Sequence, residues 1–553
     1  MRGTIMDYPL TLPTILEHAG RLHGAQEIVS RRPDKSLHRY TYKEFYHRAK
    51  QLSEALLKAG LQPGDRVGTL CWNHFAHLEA YFGVPCAGGV LHTLNLRLHP
   101  DELAYIAGHA GDRFLIVDDD LLHILDGFKD KVDFERIFVV RYNGDVVPAG
   151  MEDYEDLLAT ATGDFEYPEI DEYAACGMCY TSGTTGKPKG VAYSHRGVVL
   201  HTLAVAAPDA FGLSMRDCIL PIVPMFHANA WGMPTTAAMA GTKVVFTGPH
   251  TDHESVLELL EGEQVTMTSG VPTVWLPVVD SLKREPSRWK LNPKLKFMIG
   301  GSAAPEAMIR DFDALGHQVI HAWGMTEMTP VGTTGIPKPS FDNMTEDEQF
   351  ATLAKQGIPL PFVDIRVIGD DGPAPWDGET MGELQVRGPW IANAYYNPEE
   401  PIYSWTDDGW FRTGDVVTVD SEGYVKITDR TKDLIKSGGE WIRSVDVENA
   451  LMGHPQIKEA AVIAMPHEHW VERPLACVVA EDGAKLTADD IRDFLSTKFA
   501  KWWLPDAVEF MDEIPRTSTG KFQKRELRER FKKYRVVLLT TQDAIACGRS
   551  TSV

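Results

Sequence analysis

Residues 180–190 read YTSGTTGKPKG: three glycines, two hydroxyl pairs and two lysines in one short stretch. Glycines let a backbone turn its N–H groups toward a ligand, Ser and Thr hydroxyls add donors, and lysines supply charge. This is chemistry for a polyphosphate. It is not a Walker A loop, which needs G-x-x-x-x-G-K-[ST]; here Gly183 and Gly186 stand too close and Pro188 follows Lys187. A bland Gly/Ser turn explains part of the pattern, but not the density of phosphate-binding residue types.

The loop follows a strand, and the chain before it alternates strand and helix. Residues 43–60, KEFYHRAKQLSEALLKAG, have helical periodicity and stop at Gly60. DRVGTLCWN then reads as a strand, HFAHLEAYFGVPCAG as a helix and GVLHTLN as a strand, a βαβ unit that implies a parallel sheet with right-handed crossover. The pattern recurs in DRFLIVD (112–118), KVVFTG (243–248), VTMTSG (265–270), LKFMIGG (295–301) and QVIHAWG (318–324). Several of these strands run into Gly-rich or polar loops, where open α/β sheets bind ligands. From about residue 363 the segments shorten to VDIRVIG, GELQVRG and GYVKITD. The last stretch has apolar segments of its own, KEAAVIAMP and RPLACVVAE. The expected fold class is α/β: a large N-terminal domain of parallel-sheet α/β layers with a β-rich subdomain, then a small mobile α+β C-terminal domain.

Length and charge agree with this division. The 553 residues suggest several folding units, and 43% hydrophobic with 24% charged residues is ordinary for a globular chain. Net charge is −23, which speaks against nucleic acid as a partner. Residues 429–553 hold 20 basic and 20 acidic side chains, so the whole excess lies in 1–428, with 35 against 58. Seven cysteines, an odd number, read as thiols of a reducing compartment, and Cys176 and Cys179 as buried strand thiols. The N-terminus has Asp7 and Glu17 where a signal peptide needs a clean apolar core, and no uncharged apolar run reaches the ~18–20 residues of a membrane helix. The reading is cytoplasmic.

YTSGTTGKPKG resembles the signature of the adenylate-forming superfamily: acyl- and aryl-CoA synthetases, peptide-synthetase adenylation domains and firefly-type luciferases. Five further segments match in the family's order. GGSAAP (300–305) with HAWGMTE (321–327) resembles its adenine and AMP segments, and WFRTGD (410–415) the segment ending in a ribose-binding Asp. DRTKDLIKSGGEWI (429–442) resembles the hinge, and PRTSTGKFQK (515–524) the C-terminal lysine motif. PMFHANAWG, HAWGMTEMTP and KSGGEWI look most like bacterial medium- and long-chain fatty acyl-CoA synthetases, and are similar to the related methylthiopropionate-CoA ligases. The resemblance covers about residues 10–535. It implies domains at 1–429 and 430–535, with 536–553 a tail of unassigned role.

The resemblance implies a reaction in two halves: a carboxylic acid attacks the α-phosphate of ATP to give acyl-AMP and pyrophosphate, then CoA takes the acyl group and AMP leaves. Anions are brought together, so the site needs cations and fixed donors. By resemblance Thr181, Ser182, Gly183, Thr184, Thr185 and Lys189 hold phosphates, and Glu327 with Thr184 holds Mg²⁺, a hard cation suited to oxygen. Gly301, Ser302, Ala303, His321, Ala322, Trp323, Gly324, Met325 and Thr326 shape the nucleotide slot. Asp415 accepts from the ribose hydroxyls, with Arg430 and Lys436 near the nucleotide. Lys521 reaches the carboxylate and the α-phosphate during adenylation. His227 sits by the carboxylate and Trp231 lines the acyl tunnel. Lys432 is the hinge residue, Gly438 and Gly439 let the pantetheine arm pass, and Trp441 is an aromatic gate.

The bland alternatives are a satisfied core histidine for His227, core packing for Trp323 and Trp441, and a solvated helix face for the basic run 521–535. The expected function is a fatty acyl-CoA ligase, with a 3-methylthiopropionate-CoA or other short-chain acid ligase as the alternative. A luciferase-like oxygenase and a non-catalytic nucleotide-binding relic are the competitors from other classes. A homodimer and a peripheral membrane contact stay open.

Overall fold

A computed structural model describes residues 1, 3–144, 146–181, 187–399, 402–437, 440–467, 470–517 and 520–532. The chain divides into two units: Met1–Ile427 with residues 518–521, and Thr428–Thr517 with the residues from Phe522 onward.

In the first unit the recurring strands sort into two mainly parallel sheets. The seven-stranded sheet runs Glu152–Asp153, Arg136–Val140, Asp112–Asp118, Arg66–Leu70, Val90–Thr93, Ala175–Tyr180, Gly190–Ser194. All neighbours are parallel except the last pair, which is antiparallel. The strands on either side of residues 181–189 thus form an antiparallel pair at the sheet edge. The nine-stranded sheet has a parallel centre, Gln318–Gly324, Lys296–Ile299, Met267–Gly270, Cys218–Pro221 and Lys243–Phe246. Strands Asp112–Asp118 and Gln318–Gly324 have the bounds read from the sequence. Almost every residue of both is buried, as a continuous apolar run in a doubly covered parallel sheet requires.

Helix Tyr42–Lys58 begins in a capping box: the Thr41 side chain accepts from the Glu44 N–H, and Glu44 returns a bond to the Thr41 N–H. Its buried face packs on Phe75–Cys86, a helix buried on all sides, as its lack of a polar stripe dictates. The one carboxylate inside that helix, Glu79, is met by Arg48 (2.6 Å) and the Tyr154 hydroxyl (2.8 Å). The shorter β segments after residue 363 make an antiparallel five-stranded sheet, Gly372–Pro373, Asp364–Gly369, Gly382–Arg387, Phe411–Val419 and Val425–Arg430.

The second unit has its own core. Strands Ile457–His467 and Val471–Ala480 pair antiparallel along their length, and Ala507–Phe510 joins Val471–Ala480 in parallel. Alternation at period two sends Ala460 and Val462 to one face with Leu451, Ile491 and Leu495, and Ala461, Ile463 and Met465 to the other with Leu527.

Candidate active site

The phosphate-type loop is closed at its neck by backbone. The Thr181 N–H donates to the Lys189 carbonyl (2.9 Å) and the Lys189 N–H to the Thr181 hydroxyl (3.2 Å). Tyr180, the last strand residue before it, is tied through its hydroxyl to His109 Nδ1 at 2.7 Å. Ser182, Gly183, Thr184 and Thr185 lie outside the described residues. Of the two lysines, Lys187 pairs with Glu399 (2.7 Å) and Lys189 Nζ lies 5.0 Å from the centre of the Tyr395 ring.

Strand Gln318–Gly324 delivers the next group. At its end Gly324 approaches the backbone so closely that a Cβ would stand 1.9 Å from the Pro330 carbonyl oxygen, so only glycine fits. The turn Thr326–Met328 follows and carries Glu327, which is buried. The Tyr395 hydroxyl donates to Glu327 Oε1 at 2.6 Å, the Ala392 N–H to the Glu327 carbonyl at 2.8 Å, and the Tyr193 hydroxyl to the Thr326 carbonyl at 2.8 Å. A buried carboxylate offers oxygen to a hard cation, so this residue fits Mg²⁺ chemically. Thr184, the other expected ligand, is not among the described residues.

Trp323 and Asp415 are both buried, and the indole N–H donates to Asp415 Oδ2 at 2.9 Å. A buried indole spends its N–H where it can, and here that bond fixes a carboxylate. His321 proves to be engaged on both nitrogens: Nδ1 donates to the Ala354 carbonyl (3.0 Å) and Nε2 accepts from the Ala304 N–H (3.3 Å). Burial pushes it down to about 4. It therefore holds the 301–304 turn from inside, and presents no ring to a ligand. Met325 bonds through its backbone N–H to the Pro330 carbonyl (2.9 Å), and Ala322 pairs with Thr334, so both are held through main chain. Gly301 and Ser302 are exposed, and Ala303 is half-buried.

Around Gly301 the residues expected on the acyl side come together. A Cβ on Gly300 would lie 3.1 Å from the Trp231 ring, and one on Gly301 3.4 Å from Lys521 Cε, Lys521 being grouped with the first unit. Burial, then the cations Lys521 and Arg97, push His227 down to about 3, so its imidazole is neutral near pH 7. Ala228, Asn229, Ala230 and Trp231 all have positive φ, between 44° and 57°, and Gly232 has 75°. The acyl-side segment is thus a left-handed turn. Arg97, Tyr193 and Tyr395 escaped the sequence reading: none stands in a recognised motif, and each meets its partner far along the chain.

A second cluster, Cys71, His74 and Asp118, brings three possible ligand atoms within 4.8 Å. Its bonds are already used. His74 Nδ1 accepts the Ala76 N–H (3.1 Å), its Nε2 donates to Asp118 (2.8 Å), and Asp118 also accepts from the Trp72 N–H (2.8 Å). Burial raises the Cys71 thiol, away from the thiolate a metal needs. The cluster caps helix Phe75–Cys86.

In the second unit Lys432 is exposed, and Lys436 Nζ lies 5.3 Å from the Trp441 ring centre. Arg430 bonds through its backbone N–H to Asp429 (2.8 Å). Gly438 and Gly439 lie outside the described residues, as do Lys533, Arg535 and the tail 536–553. The basic run is not a solvated face throughout. Lys524 bonds Glu448 and the Ser444 hydroxyl, each at 2.7 Å, and Ser444 donates to Asp429 (2.6 Å); Arg528 pairs with Asp433.

Comparison with known proteins adds three findings. A family model described as AMP-binding enzyme matches residues 16–396, and one described as AMP-binding enzyme C-terminal domain matches 446–521. A long-chain-fatty-acid–CoA ligase of Thermus thermophilus is 49% identical over 535 residues, 96% of this chain and 97% of that one. A 3-methylmercaptopropionyl-CoA ligase of Ruegeria lacuscaerulensis is 43% identical over 538, 96% and 99%. The crystal structure of ATP-bound MatB from Rhodopseudomonas palustris matches with a TM-score of 0.81 at 26% identity, covering 95% of this chain and 99% of that one.

Proposed function

The chain belongs to the AMP-binding enzyme family, and from that membership we propose that it is an AMP-forming acid–CoA ligase acting on a medium- to long-chain fatty acid. The observation that carries this reading is the convergence, within one unit, of the closed neck of the 181–189 segment, buried Glu327, the Trp323–Asp415 pair and Lys521 beside Gly301. In the first half-reaction a carboxylate oxygen attacks the α-phosphorus, the bond to the β-phosphate oxygen breaks, and pyrophosphate departs. Lys189 and the loop donors hold the phosphates, Asp415 takes the ribose, and Lys521 stabilises the charge developing between acid and α-phosphate. Neutral His227 beside Lys521 adds no second cation and gives the acid a polar, uncharged neighbour. A bound magnesium ion would neutralise phosphate charge at Glu327. In the second half-reaction the CoA sulfur attacks the acyl carbon, its proton passes to solvent, and AMP leaves with the bonding pair. The second unit serves both halves in this proposal, pivoting at Lys432, with Gly438 and Gly439 beside the pantetheine arm.

The relative from Ruegeria supports the alternative acid, methylmercaptopropionate, at nearly the same similarity. No helix among the described residues is long and apolar enough to cross a membrane, and we propose a cytoplasmic enzyme. The test is CoA-dependent AMP formation over carboxylic acids from C2 to C18 plus 3-methylthiopropionate. AMP and pyrophosphate with a C8–C18 optimum is the expected result. ADP and an acyl phosphate would overturn the reaction class, and an optimum at methylthiopropionate would overturn the substrate.

A further inference from the structure

Residues 390–399, WIANAYYNPE, lie in none of the segments quoted above, yet they touch Lys187, Lys189 and the turn of Glu327. Ala392 and Tyr395 hold the turn of Glu327 through a backbone N–H and a hydroxyl. The Tyr396 N–H donates to the Gly190 carbonyl at 2.8 Å, next to the neck of the 181–189 segment. Glu399 pairs with Lys187, and Lys189 rests on the face of Tyr395. The segment is itself fastened: the Trp405 indole N–H donates to the Ala392 carbonyl (2.7 Å), its ring packs edge-on against Tyr395, and the Thr329 hydroxyl donates to the Trp390 carbonyl (2.6 Å).

Tyr395 is the centre of this bracket. Its hydroxyl aims one oxygen of the carboxylate while its ring face carries the ammonium, at 2.6 and 5.0 Å respectively. Among the described residues, no other hydrogen bond fixes the Glu327 carboxylate. Groups that hydrogen-bond a metal ligand orient it and tune it, and their loss typically costs about 10–100-fold in metal affinity. A cation resting on an aromatic face keeps its charge while its position is restricted.

We propose that Tyr395 is a positioning residue for polyphosphate binding, holding the Glu327 carboxylate and the Lys189 ammonium in one register so that divalent cation and phosphates are engaged together. This rests on the reading of Glu327 as the cation's ligand given above. Removing the hydroxyl frees the carboxylate to rotate, and leaves the ring, the cation contact and the packing in place. The loss therefore falls on the metal, not on the nucleotide.

The test uses the full chain and Mn²⁺, which electron paramagnetic resonance counts directly, in the presence of a non-hydrolysable ATP analogue. Tyr395→Phe should raise the Mn²⁺ dissociation constant about tenfold or more. It should raise the Mg²⁺ concentration needed for half-maximal acyl-AMP formation in parallel, with little change in the KM for ATP at saturating Mg²⁺. Tyr42→Phe is the stability control, since it deletes an equally buried phenol bond, to the Thr242 carbonyl at 2.7 Å, remote from the bracket. Loss of Mn²⁺ affinity in Tyr42→Phe to the same degree would reduce the effect to general loosening and overturn the proposal. Glu327→Gln separates the two readings. If it weakens Mn²⁺ binding and Tyr395→Phe does not, the positioning role fails alone. If Glu327→Gln binds Mn²⁺ like wild type, the ligand assignment itself is wrong. Should Tyr395→Phe fold poorly, Lys189→Met reads the other arm: with the bracket in force it weakens Mn²⁺ binding in the analogue's absence as well as analogue binding, and a loss confined to the analogue would overturn the coupling.

Discussion

At the scale of single residues, Lys521 is, in the proposed reaction, the cation that brings a carboxylate and a phosphate together. Its Cε stands against Gly301, and its charge helps to keep His227 neutral. Lys521→Ala should cripple acyl-adenylate formation by roughly 10²–10³, the loss expected when one preorganised donor to developing charge is removed. Thioester formation from supplied acyl-AMP should survive. Pyrophosphate exchange and CoA transfer measured separately decide it, and equal losses in both would make Lys521 a structural residue. The sequence could name this lysine, and also Glu327 and Asp415, because each closes a short motif. It could not name Tyr395 or Trp323's true partner, because their bonds join positions 68 and 92 residues apart. Nothing local records such a pairing. His321 shows the reverse: it stands in a quoted motif, and only the surrounding backbone shows both of its nitrogens taken.

At the scale of elements, strands such as Asp112–Asp118 and Gln318–Gly324 were legible because their apolar run is continuous, whereas the equally buried Glu27–Arg31 was not singled out. The left-handed turn at 228–232 was not, because Ala228, Asn229, Ala230 and Trp231 include no glycine to announce positive φ. Such backbone costs roughly 1–2 kcal/mol per residue and persists only where the surroundings over-determine it. What fixes it here is the floor beneath it. Gly232 has φ 75°, and a Cβ there would stand 2.6 Å from the ring of His201, whose Nε2 accepts the Val331 N–H at 3.2 Å. That ring cannot step aside without losing its donor. Gly232→Ala should therefore cost about 1–3 kcal/mol in urea unfolding. It should also raise the KM for the acid more than the KM for ATP, since Trp231 sits one residue away. Unchanged stability would mean that the turn is not under strain.

At the scale of the whole molecule, the charge balance drew a line at 429, whereas the structure divides the chain between Ile427 and Thr428 and returns 518–521 to the first unit. Composition sees where a run of charge ends; it cannot see that a short later stretch groups with the first unit. Nor could it see that the neutral second unit hides charge in its interior. Glu448 is buried against Lys524, with the Val462 N–H also donating to it at 2.6 Å. Burial raises this carboxyl from 4.5 to about 7 even though Lys524 opposes the shift. The sign of the linkage follows. In the unfolded chain Glu448 releases its proton near 4.5, and in the folded chain near 7, so between those values the folded state binds the proton more tightly. The stability it contributes is fully present below pH 4.5 and is lost as pH rises through 7. At about 1.4 kcal/mol per unit the loss is at most about 3.5 kcal/mol. Buried His195 and His201, lowered to about 4 and 3, act oppositely: their contribution is present above 6.5 and lost as pH falls below it. Total stability against pH therefore mixes the two, and only a difference isolates Glu448. Urea unfolding of the full chain, wild type and Glu448→Gln, at pH 5, 6, 7 and 8 gives that difference. Glutamine keeps an oxygen for the Val462 N–H and carries no proton to lose. The wild-type advantage should shrink steadily from pH 5 to pH 7 and then level off, whereas parallel curves would show that Lys524 holds Glu448 ionised throughout.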